Sequence, residues 1–290
     1  MKKIVVLALV VLALFSCNKQ ETGWTSLLDN DLSQWDTYLS YRFQDGYNGT
    51  APVDENGNPV SPIGLNNDEY DVFSVLLENN EPVLKISGEI YGCVVTKQEY
   101  ANYHLKLKVK WGDKKYPPRK KLLKDSGIMY HSVGDFGNDY WRSWMLSQEF
   151  QVMEGHMGDF WSQQSSSIEV RAFLPEGTMM NPVADGSQPF IPLGSGSEYG
   201  GFCLRSCNFE NDPGEWNTLE LICYEGKSLH IVNDHVVMVL QNSRYRKNGE
   251  IVPLIQGKIQ LQSEAAEVFY KDIQIRDIDE LPAAYLKYFD

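Results

Sequence analysis

The sequence predicts an all-β protein built as a two-sheet antiparallel sandwich. From Val83 onward, apolar and polar residues alternate with a period of two, the spacing of half-buried strands. Short polar turns, Glu225-Gly-Lys227 and Asn233-Asp234, separate such runs at hairpin distance. Stretches of helical period are few and short, with Ile278 to Phe289 reading as a terminal helical turn. Two sheets packed face to face satisfy this pattern. A propeller or closed barrel would show a blade or hairpin repeat, and none is present.

The chain opens with Met1-Lys-Lys3, an apolar run from Ile4 to Phe15, then Ser16-Cys17. That is a basic n-region, an h-region too short to span a bilayer, and a cleavage point. Leu14-Phe-Ser-Cys17 resembles the lipobox of bacterial lipoproteins, which implies a signal peptide over 1–16, lipidation of Cys17 and a short tether over 17–23. An ordinary secretory signal with an incidental Cys17 is the alternative. Either way the protein is expected to be exported. The lipobox adds membrane anchorage facing the periplasm or cell surface.

Loss of Lys2 and Lys3 takes the formal charge from -13 to -15. So acidic a surface repels phosphate backbones and anionic headgroups, so no nucleic-acid partner is expected and the only membrane contact is the lipid anchor. Cys93, Cys203, Cys207 and Cys223 have no zinc-ligand spacing and read as free or buried thiols, with one disulfide left open. No cofactor is expected; a structural calcium is left open.

About 270 mature residues suit one large all-β domain over 24–290. Pro, Gly and Asn cluster at Asp45 to Asn67 and at Pro175 to Gly201, which predicts long loops within 40–70 and 155–201. His104-Leu-Lys-Leu-Lys-Val-Lys-Trp111 alternates strictly, so its lysines form a solvated strand face. In the next strand Ser126, Ile128 and Tyr130 share one face and Met129 and His131 the other. Trp216 to Tyr224 and Ser228 to Val232 form a hairpin, His235 to Leu240 follows, and Gly257 to Gln262 and Val268 to Ile275 close the sheets.

The chemistry concentrates in Ser147-Gln-Glu-Phe-Gln-Val-Met-Glu-Gly155, read with Asp125-Ser-Gly-Ile-Met-Tyr-His131. Glu149 and Gln151 are two apart and share a strand face, whereas Glu154 falls on the other face unless a bulge near Val152 or Met153 restores parity. With that bulge, two carboxylates and an amide line one surface beside Tyr140-Trp-Arg-Ser-Trp144 and His156. Without it, these are solvated positions of an amphipathic strand.

Six blocks in order resemble the 3-keto-disaccharide hydrolase family, which has the concanavalin A-like jelly-roll fold of many lectins and glucanases. They are Ser26-Leu-Leu-Asp-Asn-Asp-Leu-Ser-Gln-Trp35; Tyr91-Gly92 with Thr96-Lys-Gln-Glu-Tyr-Ala-Asn-Tyr103 and Trp111-Gly112; Asp125-Ser-Gly-Ile128; Glu149-Phe-Gln-Val-Met-Glu154; Gly214-Glu-Trp-Asn217; and Leu261-Gln-Ser-Glu264. The resemblance spans about Trp24 to Ile278. Glu154 stands where an Asp is common, His131 where an Arg is common and Ala265 where a Gly is common. The central block is also similar to the Glu-x-Asp-x-x-Glu strand of retaining laminarinase-type glucanases, with Gln151 in place of the middle Asp.

The family resemblance implies a glycoside oxidised at C3. There the ketone acidifies the C2 hydrogen, a base removes it, the C1 substituent departs and water adds to the double bond. Such chemistry needs a base, a donor or cation for enolate charge, and an acid at the leaving oxygen. Glu149, Glu154 and His156 are the acid/base candidates, and Lys97 or Arg142 the enolate cation. Gln151, Tyr91, Tyr130, His131, Trp141, Trp144 and Gln262 are candidates for sugar contact, as is Arg142. Each has a plainer role: Lys97 in a surface pair, His156 in solvent, the Trp residues as a loop's own core. A non-catalytic lectin and a retaining endoglycanase using Glu149 and Glu154 are the rival functions.

Overall fold

A computed structural model describes residues 23–138, 141, 143–177 and 181–290. Cys17, Tyr140 and Arg142 lie outside the described residues. The chain forms a two-sheet antiparallel jelly-roll sandwich with one sheet of twelve strands and one of eight. At the centre of the larger sheet Tyr103–Lys115 lies between Asn217–Tyr224 and Ala266–Asp277. In the smaller sheet the order from one edge is Phe202–Cys203, Phe160–Ser162, Leu146–Met153, Asp125–Val133, Lys258–Ser263, Gly92–Thr96, Trp35–Leu39 and Gly64–Leu65.

Period-two alternation explains how the sheets meet. The smaller sheet contributes Trp35, Leu39, Val94, Ile128, Tyr130, Phe150, Val152, Ile259 and Leu261 to one cluster with Leu105, Leu107, Val109, Leu219, Leu221, Val268 and Tyr270 of the larger. Burial of each large apolar side chain contributes roughly 1.5–3 kcal/mol. Several polar groups trapped between the sheets are paired: Ser126 Oγ lies 2.8 Å from the Tyr270 hydroxyl, and Gln148 Nε2 donates to Ser167 O and Ser243 Oγ at 3.0 Å each. The hairpin at Glu225-Gly226 closes with Tyr224 opposite Lys227 and positive φ at both turn residues, 47° and 76°, as a type I′ turn requires.

Segment 155–201, expected as loop, instead carries Phe160–Ser162, Ser166–Phe173, Val183–Ala184 and Phe190–Gly194. In Ser166–Phe173, Ile168, Val170 and Ala172 are buried against Met238 and Leu240 of the distant His235–Lys247 strand. Its alternation is short and bounded by glycines and prolines, so long-range pairing decides it. Between Leu39 and Phe73 the only strand is Gly64–Leu65. Phe43 and Tyr47 of that stretch pack over the outer face of the smaller sheet, against a cluster that holds Tyr38, Tyr91, Trp141 and Trp144. Cys93, Cys203, Cys207 and Cys223 are free thiols.

Candidate active site

The site lies on that outer face, built from four neighbouring strands. Phe150 and Val152 point into the core, which turns Glu149 and Gln151 outward. Glu149 is opposite Met129 on one side and Trp161 on the other; Gln151 is opposite Gly127. A Cβ on Gly127 would overlap the carboxylate of Glu149 and the amide of Gln262, which comes from the far side in Lys258–Ser263. The missing side chain at Gly127 is therefore the floor on which Glu149 and Gln262 converge. Glu149 is 2% exposed and accepts from Gln163 Nε2 at 2.5 Å. Gln262 is fully buried; its Nε2 meets the thioether of Met129 at 3.4 Å, and among the described residues its Oε1 has no partner.

Beside this pair lies a charged network. Gln151 Nε2 donates to Asp125 Oδ1 at 2.6 Å, Arg119 Nη2 contacts Asp125 Oδ2, and Arg119 Nη1 reaches Glu264 at 3.4 Å. Burial pushes the Asp125 carboxyl up to about 6, against the positive charges of Arg119 and, more weakly, His156. The next loop folds back so that Gln151 N donates to Asp159 O at 3.0 Å. Fully buried Asp159 holds His156 Nδ1 at 3.0 Å and Arg205 Nη1 at 3.0 Å. Arg205 Nη1 also lies 3.2 Å from His156 Nδ1, but the Asp159 carboxylate can only accept, so we assign the Nδ1 proton to the shorter Asp159 bond. The imidazole, about a third exposed, then presents Nε2 as an acceptor or, once protonated, a donor.

The model of the 3-keto-alpha-glucoside-1,2-lyase-like domain matches residues 23–276. The chain belongs to that family. Among solved structures, two chains from Parabacteroides distasonis ATCC 8503, each described as a "putative glycosyl hydrolase", are similar at 17% and 16% identity. They cover 89% and 88% of this chain and 94% and 99% of their own, with TM-scores of 0.47 and 0.46. The carbohydrate binding module CBM66 from Bacillus subtilis is similar at 10% identity, covering 71% of this chain and 92% of its own, with a TM-score of 0.39. No curated protein matches the chain.

Within this lyase-like domain Glu149, Gln151 and Gln262 come together, with His156 at their margin. Glu154 does not join them. The register runs unbroken from Asp125 opposite Met153 to Tyr130 opposite Gln148, so there is no bulge at Val152 or Met153 to restore parity. Glu154 instead pairs with Lys124 at 3.6 Å and lines a cleft of about 420 Å³ with Trp111 and Glu210.

The bulge sits in the adjacent strand, between Tyr130 and Val133, where His131 has φ 51°. It turns His131 away from the sugar-contact position expected of it, to within 3.1 Å of Leu254 O and 3.3 Å of Ala101 O, one of which accepts the single N–H of the neutral ring. Burial lowers that imidazole to about 4. Tyr130 likewise points between the sheets, its hydroxyl 3.0 Å from Ser228 Oγ. Lys97 is exposed and donates to Ser33 O at 2.7 Å, apart from the carboxylates. Tyr91, Trp141 and Trp144 form a buried aromatic wall on the outer face, with Trp144 Nε1 donating to Gly92 O at 2.9 Å.

Arg119, Asp125, Asp159, Trp161 and Gln163 were missed as site residues. Asp125 shares outward parity with Gly127 and Met129, a signal present in the strand pattern. The others reach the face from segments whose pairing the local sequence does not encode.

Proposed function

We propose that the protein cleaves glycosides carrying a ketone at C3, by elimination and rehydration. The observation that supports this over a retaining glucanase using Glu149 and Glu154 is the placement of these two on opposite faces, because such an enzyme needs its two carboxyls about 5–5.5 Å apart on one face. Family membership supports the substrate class.

In this reading Glu149 takes the C2 hydrogen as a proton. The electron pair moves into an enolate on the C3 oxygen, where the Gln262 amide N–H, engaged only by a thioether among the described residues, can turn to stabilise it. Collapse of the enolate expels the C1 substituent, whose oxygen takes a proton from His156 Nε2, oriented by Asp159. Water then adds at C1 and gives its proton to His156 Nε2, and Glu149, its proton exchanged with water, protonates C2, giving net hydrolysis. The unpartnered Gln262 Oε1 is suited to a sugar hydroxyl.

The test is a glucoside and its 3-keto derivative offered side by side to the purified protein. Turnover of the keto compound alone supports the reading. Equal turnover of both would restore the glucanase, and saturable binding without turnover would favour a lectin.

A further inference from the structure

Of the large aromatics on the outer face of the smaller sheet, Tyr91, Trp141 and Trp144 are buried, whereas Trp161 is 41% exposed. Phe160 beside it is fully buried in the core, which fixes Trp161 on the outward side. Trp161 stands directly opposite Glu149 in the register, and its ring leans over Phe202 of the adjoining strand at 4.5 Å and 40°. Gln163, the next outward residue, reaches back to the Glu149 carboxylate. Glu149 thus has its carboxylate over Gly127 on one side and an open aromatic ledge on the other.

From this juxtaposition we infer that Trp161, backed by Phe202, is the platform for the ring attached to the leaving oxygen. A pyranose presents a face of C–H bonds that stacks on an indole, and an aryl group stacks on it equally, whereas a short alkyl aglycone cannot cover it. Trp161 is then a specificity-determining residue: it favours glycosides with a second ring and leaves the reacting ring to Glu149 and Gln262. The inference rests on the proposed reaction for its kinetic form, but the platform itself is a binding claim.

The experiment compares Trp161→Ala and Trp161→Phe with the parent on two 3-keto-glucosides, one with a glucosyl and one with a methyl aglycone. Loss of one stacking contact predicts a kcat/KM lower by about three- to tenfold on the glucosyl substrate for the alanine variant, carried by KM, with the methyl substrate unchanged. The phenylalanine variant should recover part of the loss. Equal loss on both substrates, or loss on neither, overturns the platform. Calorimetric titration with the unoxidised disaccharide keeps this separate from the reaction. If nothing is turned over, weaker binding by Trp161→Ala than by the parent still supports the platform, and equal affinity or no binding by either overturns it.

Discussion

Glu149 and Gln262 reach over the same glycine from the two strands that flank it. Gly127 is therefore a position where a single methyl group reaches both proposed reacting-ring contacts at once. Gly127→Ala should lower activity by at least ~10²-fold, since displacement of a positioned base by about an ångström has that effect. The overpacking should destabilise by about 1–3 kcal/mol. Steady-state kinetics beside urea unfolding separates the two effects, and an active Gly127→Ala protein would remove Glu149 from the mechanism.

The two glutamates of the central strand should behave unequally. Glu149→Gln is expected to lose about 10²–10⁴ in rate with the fold retained. Glu154→Gln, which alters only a partly exposed pair with Lys124, should leave turnover unchanged. Similar losses at both positions would reinstate the paired-carboxylate idea.

Elimination breaks the bond to the C2 hydrogen and displacement does not. Turnover in deuterated water should place deuterium at C2 of the keto-sugar product, above a buffer blank that corrects for spontaneous exchange. Unlabelled product together with no kinetic isotope effect on a C2-deuterated substrate would exclude Glu149 as a C2 base.

Asp125 makes stability depend on pH with a definite sign. Its carboxyl is raised in the folded state from 3.8 to about 6, so between these values the folded protein holds the proton more tightly than the unfolded chain. Its contribution is full below about pH 4 and is lost as pH rises through about 6, by about 3 kcal/mol at most. Asp125 faces Arg119, Glu264, Gln151 and His156, and Asp125→Asn should flatten that part of the profile. Urea midpoints measured from pH 4 to 7 check it; identical profiles for parent and variant would contradict the shift.

Lipid anchorage is an expectation from Leu14-Phe-Ser-Cys17 alone, whereas export is expected from the basic and apolar segments before it. Cys17→Ala should leave an unprocessed or unanchored protein, seen as loss of lipid label and a changed mature N-terminus. Unchanged processing would place the cleavage elsewhere.

Alternation was enough to read the sandwich, because a strand with one face in the core must write its parity into the sequence, as Leu105, Leu107 and Val109 do. The same rule located Glu149 and Gln151. At Glu154 parity alone was right, and the error was the bulge invoked to override it, which lies instead at His131 in the partner strand. Nothing in Tyr130-His-Ser-Val133 announces it, since a bulge answers to the register between two strands. Arg119, Asp159 and Trp161 were hidden for a related reason: each acquires its meaning from a neighbour brought close by folding, Asp125, His156 and Glu149 in turn.

Glu149 is 2% exposed, and Asp125 and Gln151 beside it are 4% and 5% exposed. In the proposed reaction the species left after departure of the aglycone is an unsaturated ketone, an electrophile that any stray thiol or amine could capture. A closed face allows water to compete first, so the ratio of hydrated sugar to trapped adduct becomes a property of the covering loops and not of the chemistry beneath them. Shortening the stretch that carries Phe43 and Tyr47 should shift that partition toward adduct when a thiol is present, even if the rate of aglycone release is unchanged.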